Sequence, residues 1–339
     1  MANRVQEIEG RTLGSAEQFR REVIGGCRPV VIRNLVSDWP AVHAACAAPL
    51  GLTDYLGRFD CGARVEVFFG EPAIGGKYYY QPDLQGFNFE RRTVSYREAL
   101  GAIEAALGQS DGKSVYLGSV PAAQCLPGFS AENPMPLLDV SASPRLWVGT
   151  ASDVSSHYDT FDNLACVIAG RRRFTLYAPE LIDRLYPGPI DHTLSGATVS
   201  LAASAPPQER GRFPRFEAIR EQAYSAELEA GDALYLPKLW WHQVEATAHL
   251  NAMINYWWDA FSYGPDAPYT GLLLALITIA ERPTAERRAW QAYFDHYVFR
   301  MQGHPLAHLP AEQHGLLGAL RSGNYAKLRA RILHMLRAD

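Results

Sequence analysis

The chain has 339 residues, and its 47% hydrophobic and 20% charged content is that of a globular protein of one large or two smaller domains, not a disordered one. Its 32 Lys and Arg against 36 Asp and Glu leave a formal charge of −4, which argues against a dedicated nucleic-acid binder, because neutralising phosphates needs a basic face. Five scattered cysteines (Cys27, Cys46, Cys61, Cys125, Cys166) without a C-x-x-C pair argue against a disulfide framework or zinc knuckle and point to a reducing, cytoplasmic compartment. The first ten residues hold no apolar h-region, so no secretory leader is expected, and the apolar stretch from Leu272 to Ile279 is too short to span a bilayer.

Three zones follow in chain order. From residue 1 to 110, short helical and strand patterns alternate. Ser15 is placed to cap a helix running to Ile24, with Glu17 near the capping-box position. Pro29-Val-Val-Ile-Arg33 reads as a buried strand, and Trp39-Pro40 opens a helix with proline at a tolerated early position. Ala63 to Phe69 alternates like a half-buried strand, and Val94 to Leu107 carries helical spacing.

From 111 to 262 the chain is dense in short strand-like runs: Ser114–Leu117, Leu146–Val148, Leu164–Ile168, Arg173–Tyr177, Ala233–Leu236 and Asn251–Trp257. Gly170 and Gly231-Asp232 mark turns between them. Many short strands with turns predict a barrel or sandwich. Residues 204–222, with Pro206-Pro207 and Gly211, read as a long polar insertion. From 263 to 339 the pattern turns helical: Thr270–Glu281, Thr284–Gln302 and Tyr325–Arg337, with an apolar stripe of Leu328, Ile332, Leu333 and Leu336 on the last.

The strand-rich zone holds His157-Tyr-Asp159 and, further on, His242. Two imidazoles and one carboxylate are the ligand set of a 2-His-1-carboxylate iron site, which leaves positions open for a chelator and dioxygen. Alternation along a strand puts positions 157 and 159 on one face, so both reach a single metal. A surface His-Tyr-Asp turn beside a packed His242 is the alternative for these residues taken alone.

The surrounding motifs narrow the choice. His157-Tyr-Asp159 with Asn163, Gly170-Arg-Arg-Arg-Phe-Thr-Leu-Tyr-Ala-Pro179, Gly231-Asp-Ala-Leu-Tyr-Leu-Pro237, Trp240-Trp-His242 and Asn255-Tyr-Trp-Trp258 come in order. Together they resemble the JmjC, or cupin-like, Fe(II)/2-oxoglutarate oxygenases. The likeness is greatest to the branch containing the factor-inhibiting HIF asparaginyl hydroxylase and to bacterial cupin-like relatives. The resemblance implies a mainly β fold with flanking helices: a double-stranded β-helix (jelly-roll) core, an N-terminal flanking region and a C-terminal helical dimerisation unit. It implies His157, Asp159 and His242 as Fe(II) ligands. It also implies Arg172 and Tyr116 as partners of the far carboxylate of 2-oxoglutarate, with Asn163 and Asn255 lining that site.

Arg172 stands where the family usually has lysine; an arginine can grip a carboxylate with two parallel hydrogen bonds. Arg172 shares strand parity with Phe174 and Leu176, which favours an inward direction, and Arg173 is the alternative if the register slips by one. Val154 departs from the family's Thr or Ser, with Ser155 as a neighbouring candidate for the lost hydroxyl. Trp257 shares a face with Asn255, and Lys77 to Phe89 is a candidate border of the substrate opening. The implied activity is O2-dependent hydroxylation of a protein or peptide side chain or a small metabolite. A tRNA-base hydroxylase and a non-catalytic cupin-like binding protein are the alternatives. No membrane partner is expected, and a homodimer through the C-terminal helices is.

Overall fold

Eight short strands carry the architecture: β1 (Pro144–Gly149), β2 (Ser152–His157), β3 (Asp162–Ala169), β4 (Arg171–Tyr177), β5 (Tyr224–Glu229), β6 (Ala233–Leu236), β7 (Trp241–Ala246) and β8 (Asn251–Trp258). In the computed structural model, which describes residues 3–337 apart from 82–85, 110, 140, 191–195, 197 and 206, they form two antiparallel sheets. One runs β6-β3-β8-β1, the other β5-β4-β7-β2. Nearly every connection crosses between the sheets, which is the winding of a double-stranded β-helix.

Earlier strands widen both sheets. Val30–Arg33 pairs antiparallel with β6, and Ser114–Pro121 pairs with β1. Lys77–Tyr78 runs parallel to β2. Arg33 fastens the first of these by ion pairs to Asp232 at 2.6 Å and Glu7 at 2.8 Å.

The burial pattern follows from which faces are covered. All eight residues of β3 are buried, because its outer face lies under the helix Pro40–Ala47. β4 instead alternates: Arg171 and Arg173 are exposed, whereas Arg172, Phe174 and Leu176 are buried. The inner faces meet in one apolar core that includes Ala165, Val167, Phe174, Leu176, Leu234, Val244 and Met253.

Residues 204–222 differ from the polar insertion expected. Phe213, Phe216 and Ile219, spaced one helical turn apart, are buried with Leu185, Tyr177 and Trp241 in a second core. Short 3-10 and α turns at Pro207–Arg212, Pro214–Glu217 and Arg220–Gln222 carry them. In the N-terminal region Ser95 makes a full capping box with Glu98, starting the helix Tyr96–Leu107. Ser15 caps Ala16–Glu22, but Gln18, not Glu17, reaches back to the backbone N–H of Gly14.

Residues 259–337 belong to a separate compact unit. Its main helices are Pro268–Ile279, Thr284–Phe294 and Asn324–Leu336. The first two bury no residue, and Leu276, Ile277, Trp290, Val298 and Phe299 are exposed. No described helix is long and apolar enough to cross a membrane.

Two glycines matter for the barrel. Gly170 turns β3 into β4 at φ +74°, where a Cβ would meet the Leu250 carbonyl oxygen at 2.4 Å. Gly149 ends β1 against the strand that carries Tyr116; a Cβ there would meet the Val115 carbonyl oxygen at 2.4 Å and Tyr116 Cα at 3.0 Å. Gly149→Ala should therefore lower the unfolding free energy by about 2 kcal/mol in a denaturant titration. Gly26→Ala, which meets nothing within 4 Å, should change it by less than about 0.5 kcal/mol.

Candidate metal centre

β2 ends at His157, β7 opens with Trp241-His242, and the two histidines are cross-strand partners. Direct pairing in adjacent antiparallel strands brings the rings to 4.2 Å between centroids. Asp159 lies two residues beyond His157, where the chain has left the strand. One ligand atom from each of His157, Asp159 and His242 lies within 4.8 Å of the others, and His242 Nε2 is 3.7 Å from Asp159 Oδ2.

Both imidazoles are oriented in the same way. Nδ1 of His157 donates to the Ser155 carbonyl at 2.8 Å, and Nδ1 of His242 to the Trp240 carbonyl at 3.0 Å. A carbonyl only accepts, so each ring carries its proton on Nδ1 and turns the lone pair of Nε2 toward the common centre. Burial, then neighbouring His157, holds the His242 pKa well below 6.5, so it is a neutral ligand at physiological pH. Burial pushes the Asp159 carboxyl up, with His157 pulling partly back. That cost is one a divalent cation beside it removes. Two imidazole nitrogens and one carboxylate fit Fe(II) with sites to spare.

Deeper in the barrel, Arg172 is 1% exposed, and its Nε and Nη2 are buried without a hydrogen-bond partner. Burial lowers its pKa, and the adjacent Tyr116 hydroxyl opposes the shift. Burial likewise raises the Tyr116 phenol, which Arg172 draws back down. A buried guanidinium with unpartnered donors is costly in isolation, and a small carboxylate is the partner its geometry suits. Arg173 points outward and pairs with Glu227 at 3.1 Å. The Tyr116 ring lies tilted against that of Tyr78, with centroids 5.7 Å apart, and the Tyr78 hydroxyl donates to Ser114 Oγ at 3.1 Å. This places Tyr78 and Phe89 of the Lys77–Phe89 segment in one cluster with Tyr116; residues 82–85 lie outside those described.

The two amides meet each other. Asn255 Nδ2 donates to Asn163 Oδ1 at 3.2 Å, and Trp147 Nε1 donates to Asn255 Oδ1 at 2.6 Å. Trp257 lies edge-on to Trp147. Its buried indole N–H lies near enough to Asp159 to draw that carboxyl's pKa down, yet falls short of a hydrogen bond. Val154 packs into the apolar core, and the Ser155 hydroxyl is committed to the Tyr78 carbonyl at 2.9 Å. Ser155 therefore does not replace the missing hydroxyl, contrary to expectation.

Residues 16–263 match the family model described as a cupin-like domain. The chain belongs to the cupin-like domain family. Within that family it groups with the JmjC proteins, whose site uses Fe(II), 2-oxoglutarate and O2. Among curated relatives, this cupin-like chain is 35% identical over 120 residues to lysine-specific demethylase JMJ31 of Arabidopsis thaliana (35% of this chain, 21% of that one). It is 27% identical to Jumonji C domain-containing protein 5 of Drosophila melanogaster (72% of this chain, 58% of that one). It is 25% identical to the human bifunctional peptidase and (3S)-lysyl hydroxylase JMJD7 (71% and 80%). The cupin-like chain thus spans about a fifth to somewhat over half of the first two relatives.

Sequence reading missed the group that joins the two ligand-bearing turns. Asp162 is buried, accepting from the Tyr235 hydroxyl at 3.1 Å and pairing with Lys238 at 3.2 Å. The neighbouring Leu239, at φ +68°, donates its N–H to the Asp159 carbonyl at 2.8 Å. Leu-Pro-Lys-Leu gives no local sign of a left-handed leucine.

The low His242 pKa has a definite consequence in metal-free protein. As pH falls through 6.5 the unfolded chain takes up this proton and the folded chain does not. The contribution of His242 to stability is thus full above 6.5 and is lost progressively below it. An NMR titration of the His242 ring in metal-free protein should give a midpoint below 6.5. A midpoint at or above that value would contradict the burial argument.

Proposed function

We propose that the protein is an Fe(II)- and 2-oxoglutarate-dependent hydroxylase acting on a protein or peptide side chain. The observation that carries this is the convergence, inside one barrel, of the His157–Asp159–His242 cluster and a buried, unpartnered Arg172. When bound, iron and 2-oxoglutarate couple the oxidative decarboxylation of the diacid to hydroxylation of a C–H bond by O2.

The chain's own residues do the rest. His157, Asp159 and His242 would hold the metal, their orientation set by the two carbonyl contacts before it arrives. Arg172 and Tyr116 would hold the far carboxylate. Arg172 sits four residues along β4 from Leu176, the cross-strand partner of His242, or about 13 Å of strand. That separation suits a chelator with a charged tail. The joined amides of Asn163 and Asn255, fixed by Trp147, line the space between. Val154 and the core around Phe174 and Leu176 exclude water, which strengthens every charge interaction inside.

In this reading residues 111–262 form the catalytic core, 1–110 flank it, and 263–339 pair two copies of the chain through the exposed apolar helices. The described cysteines are all free, which favours the cytoplasm. Sedimentation should give the mass of two chains, and Leu276→Asp with Ile277→Asp the mass of one; a monomeric wild type would refute the pairing.

Arg172 separates function from stability. Arg172→Met removes an uncompensated buried charge, so the ligand-free variant should be at least as resistant to denaturant as the wild type. Its affinity for 2-oxoglutarate should fall at least about thirtyfold, the equivalent of about 2 kcal/mol, as read by succinate formation. His157→Ala should abolish succinate formation altogether. An Arg172→Met variant with unchanged 2-oxoglutarate affinity would refute the proposed site.

A further inference from the structure

The eight strands contain four arginines, and their pairing divides by face. The two that point outward, Arg171 and Arg173, are matched to Glu229 at 2.7 Å and Glu227 at 3.1 Å. The two that point inward, Arg172 and Arg145, have no carboxylate partner among the described residues. Arg172 lies deep in the barrel and is accounted for by the diacid. Arg145 is left over.

The position of Arg145 is well defined. It lies on β1 directly opposite Asn255 of β8, so the two side chains share the inner face. Leu146, the next residue, points the other way and is fully buried. Nη1 of Arg145 donates to the Ser119 carbonyl at 3.0 Å and to its hydroxyl at 2.9 Å, where Ser119 has φ +56° at a bulge in its strand. The guanidinium carbon stands 5.5 Å from the Trp257 ring centroid, and Trp257 in turn lies against Asp159. Arg145 is half-buried, unlike Arg172. One nitrogen is thus tied to the wall and the plane rests on an indole beside a metal ligand, while the other donors keep their capacity for a two-pronged contact.

We propose that Arg145 selects a prime substrate bearing a carboxylate, an aspartate or glutamate side chain of a peptide, at or next to the hydroxylated residue. This rests on the oxygenase reading above. Of the described arginines on these eight strands two face the interior, and one 2-oxoglutarate supplies a free carboxylate for only the deeper one. A side chain fixed by Ser119 and Trp257 before binding loses little rotamer freedom on taking up an anion, which makes it a selective contact and not merely a diffuse positive charge.

The test uses full-length protein loaded with Mn(II) and an inert 2-oxoglutarate analogue, presented with a random peptide library whose retained members are sequenced. Wild type should enrich Asp or Glu at one fixed position. Arg145→Gln should reduce that enrichment at least about tenfold, and Arg145→Glu should favour Lys or Arg there. Absence of acidic enrichment by the wild type, or the same enrichment by Arg145→Gln, overturns the proposal. Calorimetric titration of 2-oxoglutarate into the three Mn(II)-loaded proteins without oxygen checks both folding and role, with equal affinities expected. Weaker 2-oxoglutarate binding by Arg145→Gln would make Arg145 a cosubstrate ligand and overturn its role in selection. Failure of the wild type to bind 2-oxoglutarate would instead refute the oxygenase reading, and the assignment of Arg145 would fall with it.

Discussion

A guanidinium held inside an apolar barrel, with two of its nitrogens unpartnered, is the constraint around which the structure is arranged. Leaving Arg172 uncompensated opposes folding, because a buried charge loses its hydration and gains nothing equivalent until an anion arrives. The barrel tolerates this because it has apolar surface to spare. Phe174 and Leu176 on the same strand, with Val244 beside them in the sheet and Met253 from the other sheet, bury a continuous core beside the charge. The helix Pro40–Ala47 and the packed segment around Phe213 and Phe216 cover the outer faces. Stability is thus supplied over many residues, and the deficit is confined to the place where a ligand removes it.

The same logic operates at the metal ligands on a smaller scale. Two backbone carbonyls fix both imidazole tautomers, and the Leu239 N–H fixes the carbonyl of Asp159. In each contact the partner is a main-chain group, so they depend on strand register and on the turn at Leu239. The β2–β7 register shifts just past His242, which ends regular pairing where the ligand turns begin. Bulges of this kind are common next to sites because they re-aim a side chain without unwinding the sheet. Asp162, Lys238 and Tyr235 then join the two turns. Contacts of this kind limit the ordering that binding must bring about.

Much of this was legible in the sequence, for reasons that differ by residue. Strand parity with Phe174 and Leu176 was enough to turn Arg172 inward and Arg173 outward, because a half-buried strand has period two. Helix starts at Ser15 and Pro40 were readable from capping chemistry, although the reciprocal partner of Ser15 is Gln18, whereas the capping box of Ser95 and Glu98 was not noticed within a segment read only by its helical spacing. The segment 204–222 misled because prolines and charges outnumber its three large apolar residues, and no strand or long helix carries their spacing. The hydroxyl of Ser155 was misjudged because its acceptor, the Tyr78 carbonyl, belongs to a segment distant in the chain. Asp162, Lys238 and Leu239 escaped notice because their partners are distant in the chain. Arg145 was silent for a similar reason: its significance is the absence of a carboxylate, and only the folded neighbourhood reveals that.

In this reading one interior holds a cation between His157, Asp159 and His242 and a diacid against Arg172 and Tyr116. A crystal structure of the protein grown without oxygen in Mn(II) and 2-oxoglutarate tests this most directly. Its density should show a single metal bonded to all three side chains, and a carboxylate closing the open donors of Arg172 beside the Tyr116 hydroxyl. A metal bound elsewhere, or a diacid lying away from an Arg172 that stays unpartnered, would contradict it.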